Sequence, residues 1–162
     1  MAKPRVYIET TVVSYLTAWR SPQLVMAGHQ ETTRNSWDDE RHRFDLFISE
    51  VVVQEASAGD PAAVQRRLEA ISGLPELQIT DEARLLAKEL IAKTPLPETA
   101  RVDALHIATA TVNGMDYLLT WNCRHIANAT LRRSMGAICE GAGYEMPVIC
   151  TPLELIEEPP ND

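Results

Sequence analysis

The chain alternates between short β-prone runs and longer stretches in which apolar residues recur every three or four positions. The short runs occupy 5–8, 46–48, 77–79, 117–120 and 148–150, and runs of this length predict β-strands. The periodic stretches predict helices over 12–16, 22–43, 49–57, 61–73, 80–93, 99–113 and 130–140. Short strands that alternate with helices predict an α/β sandwich around a mainly parallel sheet.

The second predicted helix has a clear start signal and one distinctive face. Ser21 followed by Pro22 predicts its N-cap and its first helical residue. His29, Thr33 and Trp37 follow one another at four-residue intervals, so they share one face of this helix.

Composition and charge describe an ordinary globular protein with an acidic balance. Of 162 residues, 45% are hydrophobic and 23% are charged. We expect a single domain over 1–156 and a flexible C-terminal tail over 157–162, where acidic residues accompany two prolines. The net charge of −8 argues against nonspecific nucleic-acid binding through the overall field. It does not argue against a local acidic pocket that holds a divalent cation.

The cysteines and the apolar runs indicate where the protein resides. Cys123, Cys139 and Cys150 lie far apart and lack CxxC spacing, which favours reduced thiols in a cytoplasmic protein. The longest uninterrupted apolar run has four residues, 24–27, too few for a membrane-spanning helix or a signal peptide. We therefore expect no association with a membrane.

Polar residues follow three predicted strands at the point where each strand ends. Glu9 and Thr10 follow the first strand, Ser49 and Glu50 follow the second, and the fourth runs into 120–122. Because ligands of parallel sheets bind at the carboxyl ends of the strands, we expect candidate chemistry at this edge. From its position alone, Glu9 fits a site acid as well as it fits a loop or helix-start acid.

Two other acids are better candidates than their neighbours. Asp103 lies in the helix 102–110, which is apolar nearly all round and should be buried between layers. A buried carboxylate is costly unless it is paired or bound to metal, which favours a site role over an ion pair with an arginine. In the helix after the second strand, Glu55 is the better candidate, because Glu50 is explained as a first-turn acid.

Four further polar residues have simple structural explanations. Asn122 suits a turn, or it would offer a carbonyl oxygen to a metal or a metal-bound water. His106 on its apolar helix is typical of a satisfied core histidine, whereas Arg124 and His125 fit either a phosphate contact or a solvated loop. The sequence contains no metalloprotease, phosphate-loop, dinucleotide-binding or serine-hydrolase motif.

Four segments, in family order, resemble the PIN domain and in particular the VapC-like toxins of toxin–antitoxin modules. They read VYIETTVVSYL, FISEVVVQEASAGD, RVDALHIATA and LLTWNCRHI and span 5–126, and LPELQIT and PVICTPLELI extend the match. The resemblance implies a PIN-like three-layer α/β/α sandwich with a mainly parallel sheet of about five strands. It also implies a nuclease site of clustered acids that binds Mg²⁺ or Mn²⁺.

Carried over position by position, the resemblance assigns the site residues. The metal-binding acids fall on Glu9, Glu55 and Asp103, and a fourth catalytic position falls on Asn122. The positions expected to contact the substrate are Thr10, Thr120, Arg124 and His125. The chain departs from the family twice: Glu9 replaces the usual aspartate, as in one branch of the family, and Asn122 is neutral where the family is often acidic.

The resemblance supports one leading hypothesis and one alternative. The leading hypothesis is a metal-dependent endoribonuclease that cleaves single-stranded RNA with a metal-activated water, in the manner of a toxin. The alternative, which the two departures motivate, is a PIN-fold module that binds nucleic acid or a partner without appreciable cleavage. The resemblance also implies a homodimer and a small antitoxin protein as partner. The helix face with His29 would then either stack on RNA bases or pack in the core.

Overall fold

Five short strands form one parallel sheet in the structure, a computed structural model that describes residues 2–157. The strands are β1 (Arg5–Ile8), β2 (Asp45–Ser49), β3 (Glu76–Leu77), β4 (Tyr117–Leu119) and β5 (Val148–Cys150). They are arranged in the order β3-β2-β1-β4-β5, and every neighbouring pair is parallel. The central strand β1 is the most buried, with Val6, Tyr7 and Ile8 at most 1% exposed.

Within residues 2–157, seven α-helices connect and cover the strands. They are α1 (Thr10–Thr17), α2 (Leu24–Asn35), α3 (Glu50–Ala56), α4 (Pro61–Ile71), α5 (Asp81–Lys93), α6 (Arg101–Val112) and α7 (Ala129–Gly141). The helix α1 packs on α2, α3 and α4, the helices α3 and α4 contact each other, and α5 packs on α6 and α7. Because parallel crossovers are right-handed, connections that run from β1 towards β3 and those that run back towards β5 lie on opposite faces of the sheet. The expected three-layer sandwich follows from this topology.

The helix α6 is buried on several sides, as its nearly continuous apolar sequence predicts. It packs on α5, and from the opposite direction Tyr7 of β1 forms a hydrogen bond with its His106. Gly114 follows the helix with φ +67°, a left-handed conformation that glycine adopts without strain. This placement brings the polar residues of α6 next to the end of the central strand.

The second helix and the third strand have boundaries that differ from the predicted ones. The second helix begins at Leu24 with Gln23 at its N-cap, because Ser21 Oγ accepts a hydrogen bond from Gln23 N in a separate turn. The helix then continues from Asn35 as a π turn over Ser36–Glu40 and a 3₁₀ turn to residue 43.

The third strand covers Glu76–Leu77 rather than 77–79. The N–H of Ile79 is taken by the carboxylate of Glu50 at 3.2 Å, so that residue does not extend the strand.

Two further expectations concern the C-terminal tail and association with a membrane. The tail expected over 157–162 lies outside the described residues except for Glu157. Among the helices found in residues 2–157, none combines the length and the apolar composition needed to cross a membrane.

Candidate metal centre at the carboxyl edge of the sheet

The strand order reverses between β1 and β4, which lie side by side in the sheet. In open α/β sheets such a point opens a crevice at the carboxyl ends of the strands. Glu9 directly follows β1, and its N–H extends the ladder by bonding to the carbonyl of Leu119 at 3.0 Å. Thr120 directly follows β4, and its hydroxyl donates to Glu9 Oε2 at 2.8 Å. The topology therefore brings together two polar residues that the sequence separates by 111 positions.

One oxygen of Glu9 receives all of the hydrogen bonds made to this carboxylate. Besides Thr120, the backbone N–H of Thr11 at 3.1 Å and its hydroxyl at 2.5 Å both donate to Oε2. Glu9 thereby acts as the N-cap of α1. The other oxygen, Oε1, accepts no hydrogen bond from residues 2–157.

The Glu9 carboxylate is buried, with only 3% of the residue exposed. Burial raises the pKa of Glu9 above the usual value, and the nearby His106 imidazole and the hydrogen bonds from Thr11 and Thr120 offset only part of that rise. An ionised Glu9 is therefore costly unless a positive charge lies close to it.

Glu55 reaches the same region from α3, and it is likewise held through one oxygen. Its Oε1 accepts from the hydroxyl of Thr10 at 2.7 Å and lies 2.5 Å from His106 Nε2. Burial alone would raise the pKa of Glu55, but the hydrogen bond and electrostatic effect of the His106 imidazole, together with the hydrogen bond from Thr10, outweigh it, so the pKa lies below its usual value. In the part of the chain that the structure describes, Oε2 of Glu55 has no donor.

Glu9, Glu55 and His106 form a compact set, here called the glutamate cluster. Each offers one ligating atom, and these atoms all lie within 4.8 Å of one another. Two like charges at this separation repel each other, and a cation relieves that repulsion. Carboxylate oxygens are the ligands that Mg²⁺ and Mn²⁺ prefer, and each glutamate keeps one oxygen without a protein donor. The residues therefore fit a divalent cation.

Asp103 lies outside the glutamate cluster and pairs with a histidine. Its Oδ2 lies 2.8 Å from Nδ1 of His125, and the two side chains are 22% and 21% exposed. Arg101, the arginine nearest in sequence, pairs with Glu98 instead. Oδ1 of Asp103 has no donor in the described chain, so this acid too has one anchored and one unshared oxygen. Asp103 and His125 are called the aspartate–histidine pair below.

The loop after β4 holds the remaining predicted site residues. Asn122 accepts the backbone N–H of His125 at 3.0 Å through its side-chain oxygen, which is the turn geometry that its position suggests. Its own N–H donates to the Thr120 hydroxyl at 2.9 Å. Arg124 is exposed in the same loop. Asn122 therefore shapes the loop that carries His125 and Arg124.

The helix face with His29 and Thr33 packs beside this loop. His29 stacks on Trp121 with 4.2 Å between ring centroids, and Thr33 accepts from the Trp121 indole N–H at 2.8 Å. Trp37 packs against the core and under the guanidinium of Arg41. The face thus supports the site loop through Trp121.

Sequence reasoning missed two residues that contact the acids. His106 was assigned to the core, yet its imidazole contacts Glu55, and its spacing three residues after Asp103 is the signal that both face one side of α6. Thr11 holds Glu9 and also accepts the backbone N–H of Trp121 at 2.8 Å. A contact between residues 11 and 121 has no signature in the local pattern.

Comparison with known proteins gives likenesses in structure alone. No family model and no curated protein matches this chain. VapC20 from Mycobacterium tuberculosis, described as a sarcin-ricin loop cleaving toxin, is 18% identical with a TM-score of 0.54, over 70% of this chain and 86% of that chain. VapBC2 from Rickettsia felis, bound to a DNA fragment from its promoter, is 13% identical with a TM-score of 0.58, over 91% of this chain and 98% of that chain. The chain has the fold of these VapC structures, which confirms the fold expected from its sequence.

Proposed function

We propose that the protein is a metal-dependent endoribonuclease and that its site lies at the carboxyl edge between β1 and β4. One observation carries the proposal. Glu9, Glu55 and Asp103 each use one carboxylate oxygen for protein hydrogen bonds and keep the other free of protein donors. Such an arrangement fixes the acids before a cation arrives and leaves oxygens for it to bind.

The three acids would hold Mg²⁺ or Mn²⁺. Glu9 and Glu55 supply the compact part of the site, and Asp103 adds a third carboxylate from α6. When bound, the cation would offset the charge of a scissile phosphate and lower the pKa of a bound water. Thr10 and Thr120, which we expected to contact substrate, donate their hydroxyl hydrogens to Glu55 and Glu9, and this supports a role in orienting the acids.

The loop after β4 would meet the RNA backbone. Arg124 is exposed and positively charged, and His125 is oriented by Asp103. Asn122 would set the loop and present its side-chain amide near the acids, the fourth catalytic position that the resemblance assigns. Because the net charge is −8, attraction of a polyanion has to come from such local positive groups and from the cation.

The similar structures support the choice of substrate and partner. VapC20 is described as a sarcin-ricin loop cleaving toxin, and VapBC2 as bound to a DNA fragment from its promoter. We therefore propose RNA as the substrate and a small antitoxin as a protein partner. The single-stranded form of the RNA and a homodimeric assembly are proposed from the sequence resemblance. The free thiols of Cys123, Cys139 and Cys150 fit a cytoplasmic location.

Cleavage of single-stranded RNA with Mn²⁺, Mg²⁺ or EDTA tests the proposal. We expect cleavage with the metals, none with EDTA, and a loss of more than tenfold in Asp103→Asn, which is more than about 1.4 kcal/mol of transition-state stabilisation. Asp45→Asn, an exposed aspartate at the opposite edge of the sheet, should keep wild-type activity.

A second function, RNA or partner binding without cleavage, is favoured by one observation. Asn122 is neutral and its side-chain oxygen already accepts the N–H of His125, so this position adds no fourth acid to the site. Wild-type protein that binds RNA but neither cleaves it nor binds Mn²⁺ would establish this second function and exclude the first.

A further inference from the structure

A continuous chain of buried side chains connects Ser49, at the end of β2, to the carboxylate of Glu55. Ser49 Oγ lies 2.7 Å from the hydroxyl of Tyr7, which lies 2.6 Å from Nδ1 of His106. Nε2 of His106 lies 2.5 Å from Glu55 Oε1. Ser49, Tyr7 and His106 are all 0% exposed, so water does not substitute for any of these partners.

The direction of the hydrogen bonds follows from the two ends of the chain. Oε1 of Glu55 accepts the hydroxyl hydrogen of Thr10, so this oxygen is an acceptor and His106 Nε2 donates to it. Nδ1 then accepts from the Tyr7 hydroxyl, and Tyr7 accepts from Ser49. The oxygen of Ser49 in turn accepts the backbone N–H of Val52 at 3.4 Å. In this arrangement every donor in this series of hydrogen-bonded side chains has an acceptor.

Direct binding of a metal by His106 Nε2 would reverse the direction of these hydrogen bonds. The proton would move to Nδ1 and point at Tyr7, Tyr7 would donate to Ser49, and the Ser49 hydroxyl would then need an acceptor. In residues 2–157 the only partners of Ser49 Oγ are the Tyr7 hydroxyl and the N–H of Val52. A fully buried donor would be left without an acceptor, which is strongly unfavourable.

We propose that His106 is a positioning residue, which holds Glu55 through its Nε2–H while Tyr7 and Ser49 fix the imidazole. The inference rests on the proposed metal site and adds to it a residue that binds no metal itself. Glu55 would have few other restraints, because its side chain is 39% exposed and its second protein donor is Thr10. Outer partners that orient ligating carboxylates typically alter metal affinity tenfold or more when they are removed.

Mn²⁺ affinity, measured on the whole protein by calorimetry, tests this role through four variants. We expect His106→Leu to weaken binding at least tenfold. His106→Gln keeps an N–H donor near Nε2 and should stay within threefold of wild type. Tyr7→Phe leaves the imidazole but frees it to turn, so an intermediate loss of about threefold to tenfold is expected. Thr111→Val removes another buried hydroxyl of α6 and should change nothing.

Electron paramagnetic resonance of the bound Mn²⁺ separates positioning from direct ligation. We expect no nitrogen coupling from a ligated imidazole in the wild type. Coupling that His106→Gln abolishes would overturn the inference and make His106 a ligand. Equal Mn²⁺ affinity of wild type and His106→Leu would overturn it as well, and a wild type that binds no Mn²⁺ would overturn the proposed function itself. If His106→Leu fails to fold, Tyr7→Phe and His106→Gln decide, since both keep a buried ring or amide in place.

Discussion

The glutamate cluster and the aspartate–histidine pair belong to one edge of the sheet but are held in different ways. Glu9 and Glu55 accept hydrogen bonds from the first residues of α1, from Thr120 directly after β4 and from His106 of α6. Asp103 accepts from a single partner, His125, which the loop after β4 carries. The cluster acids are therefore held by donors from several elements, whereas the hydrogen bond to Asp103 depends on one loop.

Within the glutamate cluster, the surroundings shift the pKa values of the two glutamates in opposite directions. Burial raises the pKa of Glu9, while hydrogen bonds lower that of Glu55. Two neighbouring acids with opposite shifts are typical of functional sites. The difference suggests that Glu55 is ionised before a cation binds and that Glu9 gains most from its arrival.

The largest expected effect is the loss of a cluster acid. Glu55→Gln removes one of the two carboxylates of the compact set, so we expect metal-dependent RNA cleavage to fall more than 100-fold and Mn²⁺ affinity to fall more than tenfold. Initial rates and calorimetry measure the two effects. Glu140→Gln, exposed near the end of α7, is the matched control and should match the wild type in both.

A smaller effect on affinity is expected from the aspartate–histidine pair. Asp103→Asn should lower Mn²⁺ affinity less than Glu55→Gln does, because Asp103 lies outside the compact set of ligating atoms. The same calorimetric titration measures it. If Asp103→Asn loses as much affinity as Glu55→Gln, the two groups form one equivalent ligand set and the distinction between them is wrong.

The exposed Arg124 allows a test of how the loop after β4 binds RNA. If its exposed guanidinium contacts a phosphate, Arg124→Gln should weaken binding of single-stranded RNA by a few-fold and reduce the slope of log affinity against log salt by about 0.7. Fluorescence anisotropy at several salt concentrations gives this slope. Lys3→Gln, which removes an exposed positive charge just before β1 at the opposite edge, should leave it unchanged.

The smallest effect concerns stability and tests the buried charge of Glu9. A raised pKa in the folded protein means that stability is complete while the carboxyl is protonated and is lost as the pH rises through that pKa. Without metal, Glu9→Gln should therefore melt about 2–4 °C above the wild type at pH 7, which corresponds to about 1 kcal/mol. The difference should vanish well below pH 4. A variant that is no more stable at pH 7 would show that the charge of Glu9 carries no penalty.

The sequence predicted the sheet well because each strand carries its own pattern. The first strand was placed at 5–8 and occupies Arg5–Ile8, and the carboxyl edge was correctly expected to gather Glu9 and Thr120. The third strand was misplaced because a distant carboxylate, Glu50, takes the N–H of Ile79. Local pattern cannot show such a competitor.

The finer contacts of the site depend on pairings across the fold. Tyr7 and His106 are 99 residues apart, and Glu55 and His106 are 51 apart, so register and topology decide whether they meet. For this reason His106 was interpreted as a core residue.

Titration of the wild-type protein with Mn²⁺, followed by the loss of the free-ion resonance signal, tests the central claim most directly. The account predicts saturable binding to the folded protein that Mg²⁺ competes for and that Glu55→Gln weakens more than tenfold while Glu140→Gln does not. No saturable binding, or binding that Glu55→Gln leaves unchanged, would contradict a metal centre at this edge of the sheet.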